Sequence, residues 1–298
     1  MSTEDISPRY LDFDLWDNNE ALKALYEGQL AAVAAVGPAL TAIAAAVDDA
    51  VPRLRKGGRL VYAGAGTSGR IGVQDGAELS PTFNWPRDKV VFVIAGGEAA
   101  LLRAIEGAED SRETAAEKMN EIGAGANDVV IGVAASGRTP FTVSAIETAR
   151  GCGALTIGIA NNPDSELLRA SEHPVLVDTG AEIIAGSTRL KAGTAQKIAL
   201  NLFSTLVMVR LGKVYRGLMV HMLPTNEKLR RRSVQIVRSV TGCSEEIAAE
   251  SVVKANGDVK TAALVACGMD TDAAQAALVK HDGNLRLAMT ELAPPRSR

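Results

Sequence analysis

Two short runs of small and hydroxyl-bearing residues, Gly64-Ala65-Gly66-Thr67-Ser68-Gly69-Arg70 and Ala134-Ala135-Ser136-Gly137-Arg138-Thr139-Pro140, are the stretches of this chain best suited to chemistry. Each follows a strand-like run and opens a helix-compatible one. Glycines let such a loop turn sharply and approach a ligand closely, and the unpaired N–H groups and partial positive charge of the following helix start attract an anion. Thr67, Ser68, Ser136 and Thr139 add neutral donors, while Gly66 and Gly137 admit the backbone. Either loop alone fits a nucleotide turn or a purely structural strand-to-helix connection. A dinucleotide fold uses one glycine loop, with an acidic residue about twenty positions on for the ribose. Here the hydroxyl-bearing loop is duplicated, which favours a sugar phosphate.

Two acids follow the first loop. Glu78 lies within about 15 Å of helical rise from Ser68. Glu109 is flanked by Glu106 and Asp110, and repulsion within such a group favours the protonated form of one member. On residue type alone, Glu78 is a solvated helix position and Glu109 an acidic cap for a helix starting near Ser111. Both readings stay open at this level.

The elements that must position these residues follow from periodicity. Residues 18 to 55 read as helix, with Leu22, Leu25, Leu30, Val33 and Val36 at helical spacing and a break at Gly37-Pro38. Short β-branched runs then recur with helical segments between them: Leu60 to Ala63, Val90 to Ile94, Val129 to Val133, Leu155 to Ile159 and Pro174 to Val177. That alternation predicts an α/β fold with a doubly wound parallel sheet. Ligands bind at the carboxyl ends of such strands, and the first and third can lie together at a switch point, so both loops can converge on one anion. A long apolar helix is expected over residues 188 to 212, then a break at Pro224 and another helix from Asn226 to Val240. Beyond Cys243, Ala255-Asn256-Gly257-Asp258-Val259 recurs as His281-Asp282-Gly283-Asn284-Leu285, each after an alanine-rich segment. Glycine followed by a polar residue and a new apolar run is the end of one helix and the restart of the next. The expected division is a helical arm (1–55), an α/β domain (56–222) and a C-terminal helical domain (223–298).

Composition narrows the function classes. The chain has 298 residues, 47% hydrophobic and 22% charged, an ordinary balance for a globular protein. A net charge of -3 with 4% aromatics gives little reason to expect a nucleic-acid partner, and the one basic run, Arg230-Arg231-Arg232, reads as a solvated helix face. The acidic N-terminus lacks a signal-peptide pattern, and Ile198 to Val209 is too short to span a bilayer, so the expectation is a cytoplasmic protein with no membrane partner. Cys152, Cys243 and Cys267 lack metal-ligand spacing and read as reduced thiols. His173, His221 and His281 are scattered in sequence, so no metal site is expected.

Several motifs, in order, resemble one family. The paired loops are similar to those of sugar isomerase (SIS) domains, in which serines and threonines hold a phosphosugar's phosphate. GAGTSGR (64–70), QDGAELSPTF (74–83), EGAED (106–110), AASGRTP (134–140), NNPDS (161–165) and GSTRLKAGTAQK (186–197) resemble the N-acetylmuramic acid 6-phosphate etherases. The match runs from about the first strand to the C-terminal repeat, which itself resembles a ubiquitin-associated-like helical domain. The resemblance implies a phosphosugar substrate, an SIS fold, a homodimer, no cofactor, and cleavage of the lactyl ether of N-acetylmuramic acid 6-phosphate in cell-wall recycling. It implies Glu78 and Glu109 as the catalytic pair, Glu78 protonating the departing lactate and Glu109 serving C2 proton transfer or water activation. Gly66, Thr67, Ser68, Ser136, Gly137 and Thr139 become the phosphate site. Glu182 matches the ring-opening or base glutamate of SIS isomerases, with a loop-end cap as its alternative. Ser187, Arg189 and Lys191 are further candidates, the two cations either neutralising the lactate carboxylate or pairing with local acids. His221 stands where the family pattern has an acid.

Overall fold

The computed structural model describes residues 2–103, 105–222 and 226–292. Pro224, expected to break the chain, lies outside them. The described residues form two compact units, one within Met1–Ala77 and Arg87–Ser204, the other within Glu78–Pro86 and Thr205–Arg298.

In the first unit, α1 (Asn18–Ala35) starts at Asp17, whose carboxylate accepts from Asn19 and Glu20 N–H, and a 3-10 turn at Gly37–Ala39 separates it from α2 (Leu40–Arg55). Residues 18–55 are long and apolar enough to cross a membrane. Yet α2 buries Ile43, Ala46, Val47, Ala50, Val51 and Leu54 in the unit. In α1 the small residues Ala24, Gly28 and Ala32 face inward. Its large apolar side chains Leu22, Tyr26, Leu30 and Val33 stay 52–66% exposed.

The sheet follows. Strands β1 (Leu60–Gly64), β2 (Val90–Ile94), β3 (Val129–Val133), β4 (Leu155–Ala160) and β5 (His173–Leu176) are all parallel, in the order β2-β1-β3-β4-β5. Strands β1, β3 and β4 are wholly buried, as the apolar strands of a parallel sheet covered on both faces are. Between successive strands run α3 (Gly66–Phe83), α4 (Arg112–Glu121), α5 (Pro140–Gly151) and α6 (Glu166–Ala170), and α7 (Lys191–Arg210) follows β5. The chain leaves β1 to one side for β2 and returns on its other side as β3, so β1 and β3 flank the switch point. Gly64 pairs with Val133 across it, and the two hydroxyl-bearing loops leave adjacent strand ends, roughly 5 Å apart.

The second unit is a helical cluster with a small hairpin. Strands β6 (Val214–Tyr215) and β7 (Leu218–Met219) join through Arg216 and Gly217, both at positive φ, which suits a tight hairpin turn that the sequence reading missed. Helices α8 (Glu227–Thr241), α9 (Glu245–Lys254), α10 (Val259–Ala266), α11 (Thr271–Lys280) and α12 (Leu285–Thr290) enclose Val237, Ala248, Val259, Leu264 and Ala274. The repeat has a shared geometry. Asn256-Gly257 and Asp282-Gly283 take positive φ. Asp258 and Asn284 then accept from Thr261 and Leu287 N–H to start α10 and α12.

Candidate active site

The first loop is shaped by close approach. A Cβ on Gly64 would lie 3.0 Å from Gly69 Cα, a tight approach that glycine at both positions relieves. The first intrahelical hydrogen bond of α3 runs from Gly69 N–H to Ala65 C=O at 3.0 Å, so the amides of Gly66, Thr67 and Ser68 precede it and point out of the helix end. Farther along α3, Asp75 accepts from Tyr62 Oη at 2.9 Å and Ser204 Oγ at 3.0 Å, fixing the helix on β1. Burial raises the Asp75 carboxyl above its ordinary range, with those two hydrogen bonds opposing.

The second loop supplies a different set of donors. Helix α5 opens with Val143 N–H bonded to Thr139 C=O at 3.1 Å, and Pro140 in its first turn has no N–H to offer. Ser136 does not cap α5; its Oγ accepts from Arg138 N–H at 3.2 Å within the loop. Gly137 sits at φ 63°, where a Cβ would overlap Ser165 Oγ at 2.2 Å. A side chain at 137 would therefore push this loop away from β4.

Between the loops lies a cleft of about 410 Å³ lined by Gly66, Thr67, Ser68, Ser136, Thr139 and Glu109, all expected from the sequence. That volume suits a small ligand. A second cleft of about 340 Å³ shares Gly66, Thr67 and Glu109 and extends towards Arg70 and Ile105. Glu109 therefore borders both. It is exposed in a 3-10 turn, Ala108–Asp110, and no hydrogen bond or ion pair among the described residues occupies its carboxylate. The capping alternative falls to Ser111, whose Oγ accepts from Thr114 N–H at 3.2 Å to start α4. Arg70 steadies the connection leading to Glu109 by donating Nε and Nη2 to Ala100 C=O at 3.0 and 2.9 Å.

The other candidates are placed differently. Gly137 shapes its loop but does not line either cleft, and neither do Ser187, Arg189 or Lys191. Glu78 is exposed on the part of α3 that belongs to the second unit and is not among the lining residues. Glu182 is fully buried and caps α7: its two oxygens accept from Lys191 N–H at 3.0 Å and Ala192 N–H at 2.9 Å. The Lys191 ammonium donates to the carbonyls of Thr179 and Ala181, and burial lowers its pKa below the ordinary range. Sequence reasoning missed Glu4, Arg138 and Thr188, which all line the larger cleft. Arg138 and Thr188 lie inside quoted motifs; Glu4 belongs to a short polar segment with no pattern to mark it. Sequence reasoning also separated His173 from any metal-ligand set. In the fold its Nε2 meets Asp49 Oδ2 at 2.9 Å, with Glu172 beside them, at the amino end of β5 and so opposite the clefts.

Two family models match the chain, the glucokinase regulatory protein N-terminal SIS domain over residues 42–150 and the SIS domain over residues 111–206. Among similar proteins, an N-acetylmuramic acid 6-phosphate etherase of Deinococcus radiodurans is 48% identical over 97% of this chain and 95% of its own. Another, of Streptomyces avermitilis, is 46% identical over 99% of this chain and 95% of its own. A solved Bacteroides fragilis structure, described as a phosphosugar isomerase involved in capsule formation, covers 67% of this chain and 95% of that one at 22% identity, with a TM-score of 0.51. This last is a likeness of fold.

Proposed function

The chain belongs to the N-acetylmuramic acid 6-phosphate etherase family, and we propose that it cleaves the D-lactyl ether of N-acetylmuramic acid 6-phosphate with water, giving N-acetylglucosamine 6-phosphate and D-lactate. The supporting observation is the convergence on one cleft of two hydroxyl-bearing helix starts and Glu109, whose carboxylate has no partner among the described residues. The α3 amides and the hydroxyls of Thr67, Ser68, Ser136 and Thr139 suit a phosphate, leaving the opposite end of the sugar for chemistry.

An alkyl ether resists direct hydrolysis because an alkoxide leaves poorly. Elimination lowers the barrier. Once the ring opens, the C1 aldehyde acidifies the C2 proton; a base removes it while an acid protonates the lactyl oxygen leaving C3. Water then adds at C3 and a proton returns to C2, so the net change is ether plus water to two alcohols. Two proton-transfer groups and an anchor meet this demand. We assign Glu109 to C2 proton transfer or water activation, supported by its position at the cleft. Glu78 is assigned to the leaving lactate, on the match of its motif alone. Glu182 and Lys191 we assign to holding the turn that presents Thr188.

The biological setting in this reading is cytoplasmic recycling of cell-wall sugar by a homodimer. The exposed stripe of Leu22, Tyr26, Leu30 and Val33 along α1 is the support for a second copy, and light scattering should report twice the 31.1 kDa chain mass. Incubation with N-acetylmuramic acid 6-phosphate, with D-lactate followed enzymatically, tests the reaction. A wild-type protein that binds the sugar phosphate and releases no lactate would instead fit a sugar-phosphate-sensing regulator, the reading favoured by the glucokinase-regulatory-protein match.

A further inference from the structure

The segment before α1 is stitched into the cleft. Thr3 is fully buried although polar. Its N–H donates to Asn162 Oδ1 at 2.9 Å, its Oγ1 accepts from Asn162 Nδ2 at 2.8 Å, and its C=O accepts from Gly186 N–H at 3.0 Å. Asn162 Nδ2 also donates to Ala135 C=O, in the second hydroxyl-bearing loop, at 3.2 Å. A buried side chain with both polar groups partnered has one geometry available to it. The residue after Thr3 is therefore aimed, and it is Glu4, whose exposed side chain lines the cleft with Ser68, Ser136 and Glu109. Gly186 leaves room for that carboxylate: a Cβ there would stand 2.9 Å from Glu4 Oε2, at a backbone φ of 74° that already favours glycine.

We infer that Glu4 is a substrate-positioning residue whose carboxylate accepts hydrogen bonds from the hydroxyl or amide N–H donors of the bound sugar, on the side of the cleft away from the phosphate. Charge decides the side. A carboxylate repels a phosphate and gains from donors, whereas the helix starts of α3 and α5 attract the phosphate. The two anions are thus sorted to opposite ends of the ligand, which fixes the sugar's direction in the cleft. Thr3 and Asn162 act through Glu4, as its tether.

This inference rests on the proposed reaction, so the test separates the two. D-lactate release from N-acetylmuramic acid 6-phosphate is measured for wild type, Glu4→Ala, Glu4→Gln and Gly186→Ala, with inorganic phosphate as a competitive inhibitor. Glu4→Ala is expected to raise KM about tenfold, the loss of one hydrogen bond to a charged acceptor, with an unchanged thermal midpoint and an unchanged inhibition constant for phosphate. Glu4→Gln, which keeps an acceptor oxygen, should show a smaller rise, and Gly186→Ala a rise like that of Glu4→Ala. Wild-type KM in Glu4→Ala overturns the inference while leaving the reaction standing; so does a parallel weakening of phosphate inhibition, which would mean a general disturbance of the loops. A wild-type protein that releases no lactate removes the reaction and the inference together.

Discussion

Glu109 and Glu182 sit on loops at the same end of the sheet, after β2 and β5, and carry the same functional group in opposite surroundings. The helix that follows Glu109 has its own cap in Ser111, so the carboxylate is left over, exposed at the cleft. Helix α7 is preceded by Arg189 and Leu190, which offer its amides no short polar cap. Glu182 reaches forward to supply one and is buried in doing so. An acid's role at such a loop thus depends on whether the neighbouring helix start already has an oxygen for its first amides.

Replacing each acid should break different properties. Glu109→Ala is expected to lower kcat by about a thousandfold, within the range for loss of a general acid or base, with no change in thermal midpoint. An unchanged kcat would show that Glu109 is idle. His221 tests the rule from the other side, as a half-buried group whose Nδ1 has no partner among the described residues. Burial, then the nearby Lys213 and Lys260 ammonium groups, push its pKa from 6.5 down to about 4, against Asp258. Between those values the unfolded chain binds more protons than the folded one, so stability falls as pH drops through that window and levels off below it, by up to about 3 kcal/mol in all. Chemical denaturation at several pH values reads this slope, and His221→Asp, which gives the two lysines a counter-charge, should remove it. Persistence of the slope in that variant would assign it elsewhere.

Glu182→Ala is expected to cost about 2 kcal/mol of unfolding free energy by orphaning two α7 amides. Any kcat loss confined to this variant, with stability intact, would reverse the comparison with Glu109. Ser68→Ala gives the smallest expected effect: a KM roughly tenfold higher with kcat retained, as for a hydroxyl that anchors rather than reacts. A fall in kcat alone would move Ser68 from anchor to chemistry.

The sheet was legible because its strands are short apolar runs separated by helix-length segments, and Val90–Ile94 and Val129–Val133 coincide with the expected bounds. The two hydroxyl-bearing loops were legible as strand-to-helix junctions for a related reason: their glycines let the chain turn sharply where a strand ends and a helix begins. What stayed hidden depends on partners distant in sequence. Glu4 is aimed by Asn162, 159 positions from Thr3, and no local pattern marks that pairing. The cap formed by Glu182 spans ten residues of irregular turn. In α1, helical spacing revealed a helix but not which face turns inward, and the small residues took that face. The β6–β7 hairpin was missed because each strand holds two residues, too few for an alternation to register.

The central claim, elimination of lactate from a phosphate-anchored sugar, is tested most directly by running the wild-type reaction with N-acetylmuramic acid 6-phosphate in deuterated water and locating the label in the product. The account predicts one deuterium at C2 of N-acetylglucosamine 6-phosphate for each D-lactate released. Lactate release with hydrogen retained at C2 would contradict it.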